Sequence, residues 1–430
     1  MKVCVFGLWH LGSVISGGLA KAGHSVIGLD FNRETIDNLQ NARAPVSEPG
    51  LNELINENLR KKTLVFTCDP THALADAEVV WIAFDTPVDE QDNADPEYIE
   101  RNFEAISEFI PNEMKIIISS QVPVGFTRYL SQKLHTKYPG KKIFFAYSPE
   151  NLRLGKALKT FLEPDRIVIG TDPEEREVFL PVFSSVSDRL EWMGIESAEM
   201  TKHAINAFLA TSICFANELA TLCECVGANA KDVERGLKTE ERIGPKAYLN
   251  PGNAFSGGTL ARDVRFLQKM GKKNQLPMYL INSVLESNEF HKSWVQRKCR
   301  ETMGNLDGKH IAVLGLTYKP GTNTLRRSAS VELCRWLKSK GAEVTAFDPA
   351  IQELPPELHG IFALSRKVAD AVTDADCVIV ATEWPDFQKM DDDIITTIRK
   401  KILIDPNGFI EKRMRDLSSM RYFAVGRNYS

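Results

Sequence analysis

Glu199, Lys202 and Asn206 stand three and four residues apart inside a long proline-free stretch that runs from about Ser197 through Leu222. That spacing predicts one long helix with the three side chains on a single face. A lysine and an amide aimed into a water-poor pocket can donate to an oxyanion developing on a ligand oxygen, an effective use of preorganised dipoles. A solvated polar stripe is the plain alternative. The flanking Ala204, Ile205, Ala207, Phe208 and Leu209 predict burial and favour the chemical reading.

A second group lies at the start of the chain. Val5-Phe6-Gly7-Leu8-Trp9-His10-Leu11-Gly12 comes straight off an apolar strand and enters a helix, and Asp30 closes the next strand. The pattern is a dinucleotide fingerprint: a tight turn at Gly7, phosphate on helix amides from Trp9 to Gly12, and a carboxylate for ribose hydroxyls. Asp30 favours NAD over NADP, because it repels a 2′-phosphate. Trp9 departs from the pattern by standing where a second glycine lets the backbone approach the pyrophosphate. The alternatives at this turn are a cofactor held displaced, weakly or in a wider loop, and a turn that no longer holds a nucleotide.

These groups need a scaffold, and the alternation of strand-like and helical runs supplies one. Lys2–Gly7, Ser25–Leu29, Val79–Ala83, Ile116–Ser120, Phe144–Tyr147 and Ile167–Gly170 predict a doubly wound parallel sheet. The rhythm returns after Gly308 with His310–Gly315, Glu343–Phe347, Cys377–Ala381 and Ile402–Ile404. The expected fold is therefore α/β, with two Rossmann-like doubly wound domains joined by a long central helix.

Composition narrows the function classes. At 430 residues with 43% hydrophobic content the chain can bury a large core in two or three domains. A net charge of −4 gives no basic footprint for nucleic acid. No stretch reads as a membrane span, and the apolar start reads as a first strand, not a signal peptide. Eight scattered cysteines, including the closely spaced Cys223 and Cys225, fit reduced thiols in the cytoplasm better than disulfides or a zinc site, and no metal is expected.

Several further segments resemble one family, the UDP-glucose/GDP-mannose dehydrogenases. Phe255-Ser256-Gly257-Gly258-Thr259-Leu260-Ala261-Arg262-Asp263 is similar to its Phe-Gly-Gly-Ser-Cys-Leu-Pro-Lys-Asp signature, with Thr259 in the place of the catalytic cysteine. Asp85-Thr86-Pro87, followed by Asp92-Asn93, resembles its Gly-Thr-Pro turn. Ser119-Ser120-Gln121-Val122-Pro123-Val124-Gly125 resembles its Ser-Thr-Val-Pro-Val-Gly turn, with Gln121 for threonine. Pro149-Glu150-Asn151-Leu152-Arg153-Leu154-Gly155 retains the first of two family glutamates. Glu199, Lys202 and Asn206 match its Glu-x-x-Lys-x-x-x-Asn helix, and Gly315 through Thr322 with Arg326-Arg327-Ser328 match its lysine-proline segment.

The resemblance implies an NAD-binding Rossmann domain over 1–195, a central dimerisation and substrate domain over 196–300, and a nucleotide-sugar-binding domain over 301–430. It implies Lys202, Asn206, Asp263, Glu150 and Thr259 as the catalytic positions. Thr86, Gln121 and Arg326 join the turn in holding NAD. Glu150, Leu152, Lys202, Asn206, Tyr248, Asn250, Gly252, Phe255, Gly258 and Lys319 contact a nucleotide sugar, with a UDP-sugar favoured. It also implies a homodimer and a place in polysaccharide biosynthesis.

Family enzymes oxidise a sugar alcohol to an acid in two NAD-dependent steps, and the cysteine carries the intermediate. An unactivated threonine hydroxyl is not a comparable nucleophile at neutral pH. The first hydride transfer needs no covalent bond. Three readings follow: an oxidoreductase acting on the sugar CH–OH without the thioester step, a redox-neutral epimerase using bound NAD, and a non-catalytic binding homologue.

Overall fold

The computed structural model describes residues 1–87, 94–150, 152, 155–256, 258–325, 328–414 and 420–427. Asn151, Arg153, Leu154, Gly257, Arg326, Arg327 and the Asp92-Asn93 pair, all named above, lie outside the described residues. The chain divides into two compact units, Met1–Ile205 and Asn206–Ser430.

The first unit is built on eight strands: β1 (Lys2–Phe6), β2 (Ser25–Leu29), β3 (Leu64–Thr67), β4 (Val79–Ile82), β5 (Met114–Ile118), β6 (Ile143–Tyr147), β7 (Ile167–Gly170) and β8 (Leu190–Met193). Their spatial order is β3-β2-β1-β4-β5-β6-β7-β8, so the chain reverses direction of growth between β1 and β4. A crevice at such a switch point, at the carboxyl ends of the strands, is where open α/β sheets bind ligands. Pairing is parallel except between β6 and β7, which meet antiparallel at Tyr147 and Gly170. β4 is buried at all four positions because helices cover both faces, and it accordingly reads as an unbroken apolar run. One face carries Val3, Val5, Trp81 and Phe183, the other Phe6, Ile82, Phe103 and Phe145. Burying each such side chain contributes about 1.5–3 kcal/mol.

The second unit holds β9 (His310–Leu314), β10 (Glu343–Phe347), β11 (Ala363–Leu364), β12 (Cys377–Val380), β13 (Ile402–Ile404) and β14 (Arg421–Phe423) in the order β11-β10-β9-β12-β13-β14, all parallel. Ahead of the sheet come helices Gly258–Lys273 and Tyr279–Lys292, whose Val264, Leu267 and Val284 pack with Ala207, Ala210 and Phe255.

The central helix spans Ile195–Val226 without interruption, a little longer at both ends than the proline-free stretch suggested. By length and apolar content it could cross a membrane, which corrects the reading that no stretch could; 39% of its apolar window is buried inside the fold. Burial also differs from expectation on one flank. Ala207 is enclosed and Ile205 and Leu209 are half-buried, but Ala204 is exposed and Phe208 is 70% exposed, because the helix's wet face carries Phe208, Phe215 and Leu222 seven residues apart.

Candidate active site

In the first unit, the turn after β1 is set by backbone geometry. Gly7 sits at φ +93, and a Cβ on Gly12 would lie 1.7 Å from the Gly7 carbonyl oxygen, so only glycine allows the helix His10–Lys21 to begin so close to the strand. Trp9 caps that helix with its backbone alone, and the residue is 53% exposed. His10 opens the helix. The Leu11 N–H points to Asp85 Oδ2 at 3.4 Å, which joins the turn to the loop after β4.

Asp30, at the end of β2, accepts the Leu8 N–H on Oδ2 at 2.8 Å and the Asn32 N–H on Oδ1 at 2.9 Å. A carboxylate offers about four acceptor sites, so two remain for the hydroxyls of a ribose. The tight turn, the helix start and this fixed carboxylate fit NAD. Thr86 and Gln121 are both buried, and the Thr86 hydroxyl donates to the Gln121 carbonyl at 2.6 Å, which ties the loops after β4 and β5 together beside the switch point.

The Glu150 side chain bridges two elements. One carboxylate oxygen pairs with Lys202 Nζ at 2.9 Å, the other accepts the Leu152 N–H at 2.8 Å, and Lys202 also donates to the Glu150 carbonyl at 2.5 Å. Glu199, one turn earlier on the central helix, goes elsewhere. It accepts the N–H groups of Gly125 and Thr127 at 2.6 and 2.9 Å and so caps the helix Phe126–Lys137, which has no side-chain cap of its own. Burial pushes the Glu199 pKa up, against the pull of those donors. His203 donates to the Val122 carbonyl at 2.9 Å, so the central helix grips the Gln121 loop at two points.

In the second unit, Asn206 donates from Nδ2 to Asp263 Oδ2, and both side chains are buried. Asp263 belongs to the helix Gly258–Lys273, and Thr259 is exposed in its first turn, next to Gly258, which opens it. Phe255, just ahead, is fixed by Asn288, which accepts its N–H and donates to its carbonyl. The Gly252 N–H goes to Asn217 and its carbonyl accepts from His291 Nε2 at 2.8 Å. Burial holds the His291 imidazole below its ordinary pKa of 6.5. Tyr248 is exposed, and Asn250 accepts from Lys231. Gly252, Ser256, His291, Lys319, Glu383 and Asn407 border a cavity of about 230 Å³. Burial, with Asp405 nearby, raises the Glu383 pKa there.

The two units repeat one device and spend it differently. Gly315, at φ +95 after β9, and Asp348, after β10, stand as Gly7 and Asp30 do, and the Leu316 N–H reaches Asp348 Oδ2 at 2.7 Å. Asp348 is buried and also accepts from the Thr317 N–H and hydroxyl, Trp384 Nε1 and the Ala350 N–H. Four donors converge on its Oδ2, while Oδ1 accepts the Ala350 N–H alone. The second turn therefore spends one whole carboxylate oxygen on its own backbone and side chains, whereas each oxygen of Asp30 accepts a single N–H.

Sequence reasoning missed Glu48, Asn217, Asn288, His291 and Asn407. Each acts on a partner remote in sequence, as with the Asn407 side chain on the Asn253 N–H, and none belongs to a local pattern.

Comparison with known proteins supplies a frame for this geometry. The NAD binding domain of the UDP-glucose/GDP-mannose dehydrogenase family matches residues 1–186, its central domain 196–290 and its UDP binding domain 312–412. A UDP-glucose 6-dehydrogenase of Rhizobium meliloti (strain 1021) is 33% identical, over 99% of this chain and 100% of the relative. Among solved structures, a UDP-glucose dehydrogenase from Pyrobaculum islandicum superposes with a TM-score of 0.88 at 30% identity, covering 99% of this chain and 98% of the other. The UDP-N-acetyl-mannosamine dehydrogenase of S. aureus gives 0.82 at 25% identity, with 99% of each chain covered.

Proposed function

The chain belongs to the UDP-glucose/GDP-mannose dehydrogenase family, and from that membership we propose that it is an NAD-dependent nucleotide-sugar oxidoreductase that oxidises a sugar CH–OH group without forming a thioester. One observation carries the reading: the Glu150–Lys202 and Asn206–Asp263 pairs are both formed, while the cysteine position of the signature is a threonine in an exposed first helical turn.

Bound NAD supplies the hydride acceptor. Lys202 and Asn206 hold the substrate oxygen as charge grows on it, and Glu150 takes the hydroxyl proton. Asp263 orients the Asn206 amide through their hydrogen bond. Thr259 has no thiol to capture the aldehyde, so the product leaves after one two-electron step, or is oxidised further only as its hydrate. Asp30 selects NAD over NADP. The cavity beside Gly252 and Lys319 receives part of the nucleotide, since it is smaller than the ~300–1,000 Å³ of whole small-molecule sites.

The protein works as a homodimer in the cytoplasm on this reading. The exposed heptad row of Phe208, Phe215 and Leu222 supports self-association, and eight cysteines without a disulfide support a reducing compartment. The test is NADH absorbance with a panel of UDP-sugars, alongside calorimetry with NAD and NADP. Net NADH formation and tighter NAD binding support the proposal. Sugar isomerisation without NADH, or binding without turnover, would replace it with the epimerase or the binding homologue.

A further inference from the structure

Glu48 belongs to neither of the pairs described above, yet its side chain is only 1% exposed. A carboxylate so enclosed is costly unless donors surround it. Here Oε1 accepts the Ala157 N–H at 2.6 Å, and Oε2 accepts the Gly155 N–H at 2.8 Å and faces His10 Nε2 at 3.3 Å.

These donors come from two places that the proposed function assigns to different ligands. His10 is the first residue of the helix that follows the dinucleotide turn. Gly155 and Ala157 lie shortly after Glu150 and lead into the helix Ala157–Leu162. Gly155 is at φ +81, a conformation side-chain-bearing residues rarely adopt, which aims its N–H at Glu48. Behind the carboxylate the two helices abut: a Cβ on Gly18 would lie 2.2 Å from the Phe161 ring. The pair has no slack there, so Glu48 ties together the leading ends of two packed helices.

We infer that Glu48 is a positioning residue that couples the dinucleotide turn to the Glu150 segment, so that NAD and the nucleotide sugar each bind more tightly when the other is present. The inference rests on the proposed function, which places NAD at the turn and the sugar at Glu150. A ligand that orders His10 orders the Glu48 carboxylate, and with it the Gly155 and Ala157 amides. The second ligand then has less of the segment left to order. By linkage the effect is equal in both directions.

The experiment is calorimetric titration of NAD, in its reduced form so that no turnover occurs with the alcohol substrate, into wild type, E48Q and H10A, with and without saturating UDP-glucose. Wild type is expected to bind NAD about fivefold or more tightly in the presence of the sugar, the lower end of ordinary coupling. In E48Q the ratio is expected to fall within about twofold of unity, because a neutral amide cannot accept from all three donors. H10A keeps the two backbone contacts and removes only the link to the turn, so it carries the test should E48Q fold poorly. It too is expected to lose the coupling. A side chain that only stabilised the fold would lower the melting temperature and leave the ratio alone. Coupling undiminished in folded E48Q or H10A, or no coupling in wild type that binds both ligands, overturns this inference alone. Failure of wild type to bind NAD at all overturns the proposed function, and this inference with it.

Discussion

Replacing Lys202 by methionine preserves the length and apolar stem of a side chain that is only 6% exposed and removes its charge. The ammonium stands 2.9 Å from Glu150 Oε1. Their attraction at an effective dielectric of about 20 is about 6 kcal/mol before desolvation is counted. Most of that is cancelled by the cost of taking both charges out of water. Glu150 is 23% exposed and can recover hydration once the lysine is gone. The net cost of Lys202→Met should therefore fall below the ~3–5 kcal/mol of breaking a fully buried pair, at about 1–3 kcal/mol. Cys4 reports it: enclosed in the first sheet, with its thiol pushed up to about 12 by burial, it reacts only when that unit opens. Its labelling, located by mass spectrometry, should accelerate by about 5- to 150-fold, since each 1.4 kcal/mol is tenfold. A cycle with E150Q should give a coupling energy of about 1–2 kcal/mol. NADH formation should fall by about 10²–10³, the usual loss on removing one oxyanion donor. A coupling near zero, or K202M forming NADH within about twofold of wild type, would refute the pairing and the role built on it.

Thr259→Cys places a thiol in the first turn of a 16-residue helix, where the helix N-terminus lowers its pKa. Iodoacetamide should label it ahead of the exposed native Cys225, and equal rates would count against the geometry. Burial depresses the His291 pKa below 6.5, so the unfolded chain binds that proton more readily than the folded one. The stability this neutral imidazole contributes is present above about pH 6.5 and lost as the pH falls below it. The advantage of wild type over H291Q in urea midpoint should therefore shrink from pH 7 to pH 5; an advantage that grows would show the sign to be wrong. Phe215→Glu puts a charge into the exposed apolar row of the central helix and, on the proposed dimer, should halve the mass seen by sedimentation, whereas an unchanged mass would count against this row as a self-association surface.

The strands that sequence patterning found and those it missed divide cleanly. The interior strands are enclosed on both faces and announce themselves as apolar runs, as Val79–Ile82 does. The four missed strands, Leu64–Thr67, Leu190–Met193, Ala363–Leu364 and Arg421–Phe423, are the four sheet edges, where burial is patchy and length falls to as little as two residues. The dinucleotide turn was legible because Gly7, Gly12 and Asp30 fall within a single strand-helix-strand unit. Helical spacing grouped Glu199 with Lys202, but periodicity could not say which loop each would meet, and Glu199 spends its carboxylate on Gly125 and Thr127. Phe208 looked like core because it is large and apolar, whereas the fold leaves it on the wet side of its helix. Glu48 left no trace in local pattern, since its partners His10 and Ala157 lie 38 and 109 residues away and only the folded sheet brings them together.

Hydride transfer without an acyl-enzyme has two halves, and one sample can test both. The wild-type chain is quenched during turnover with UDP-glucose and NAD, NADH is measured, and the intact mass of the protein is read from the same sample. NADH should form while the chain keeps its unmodified mass. A chain heavier by a covalently held sugar nucleotide, or unmodified protein with no NADH from any UDP-sugar tried, would contradict it.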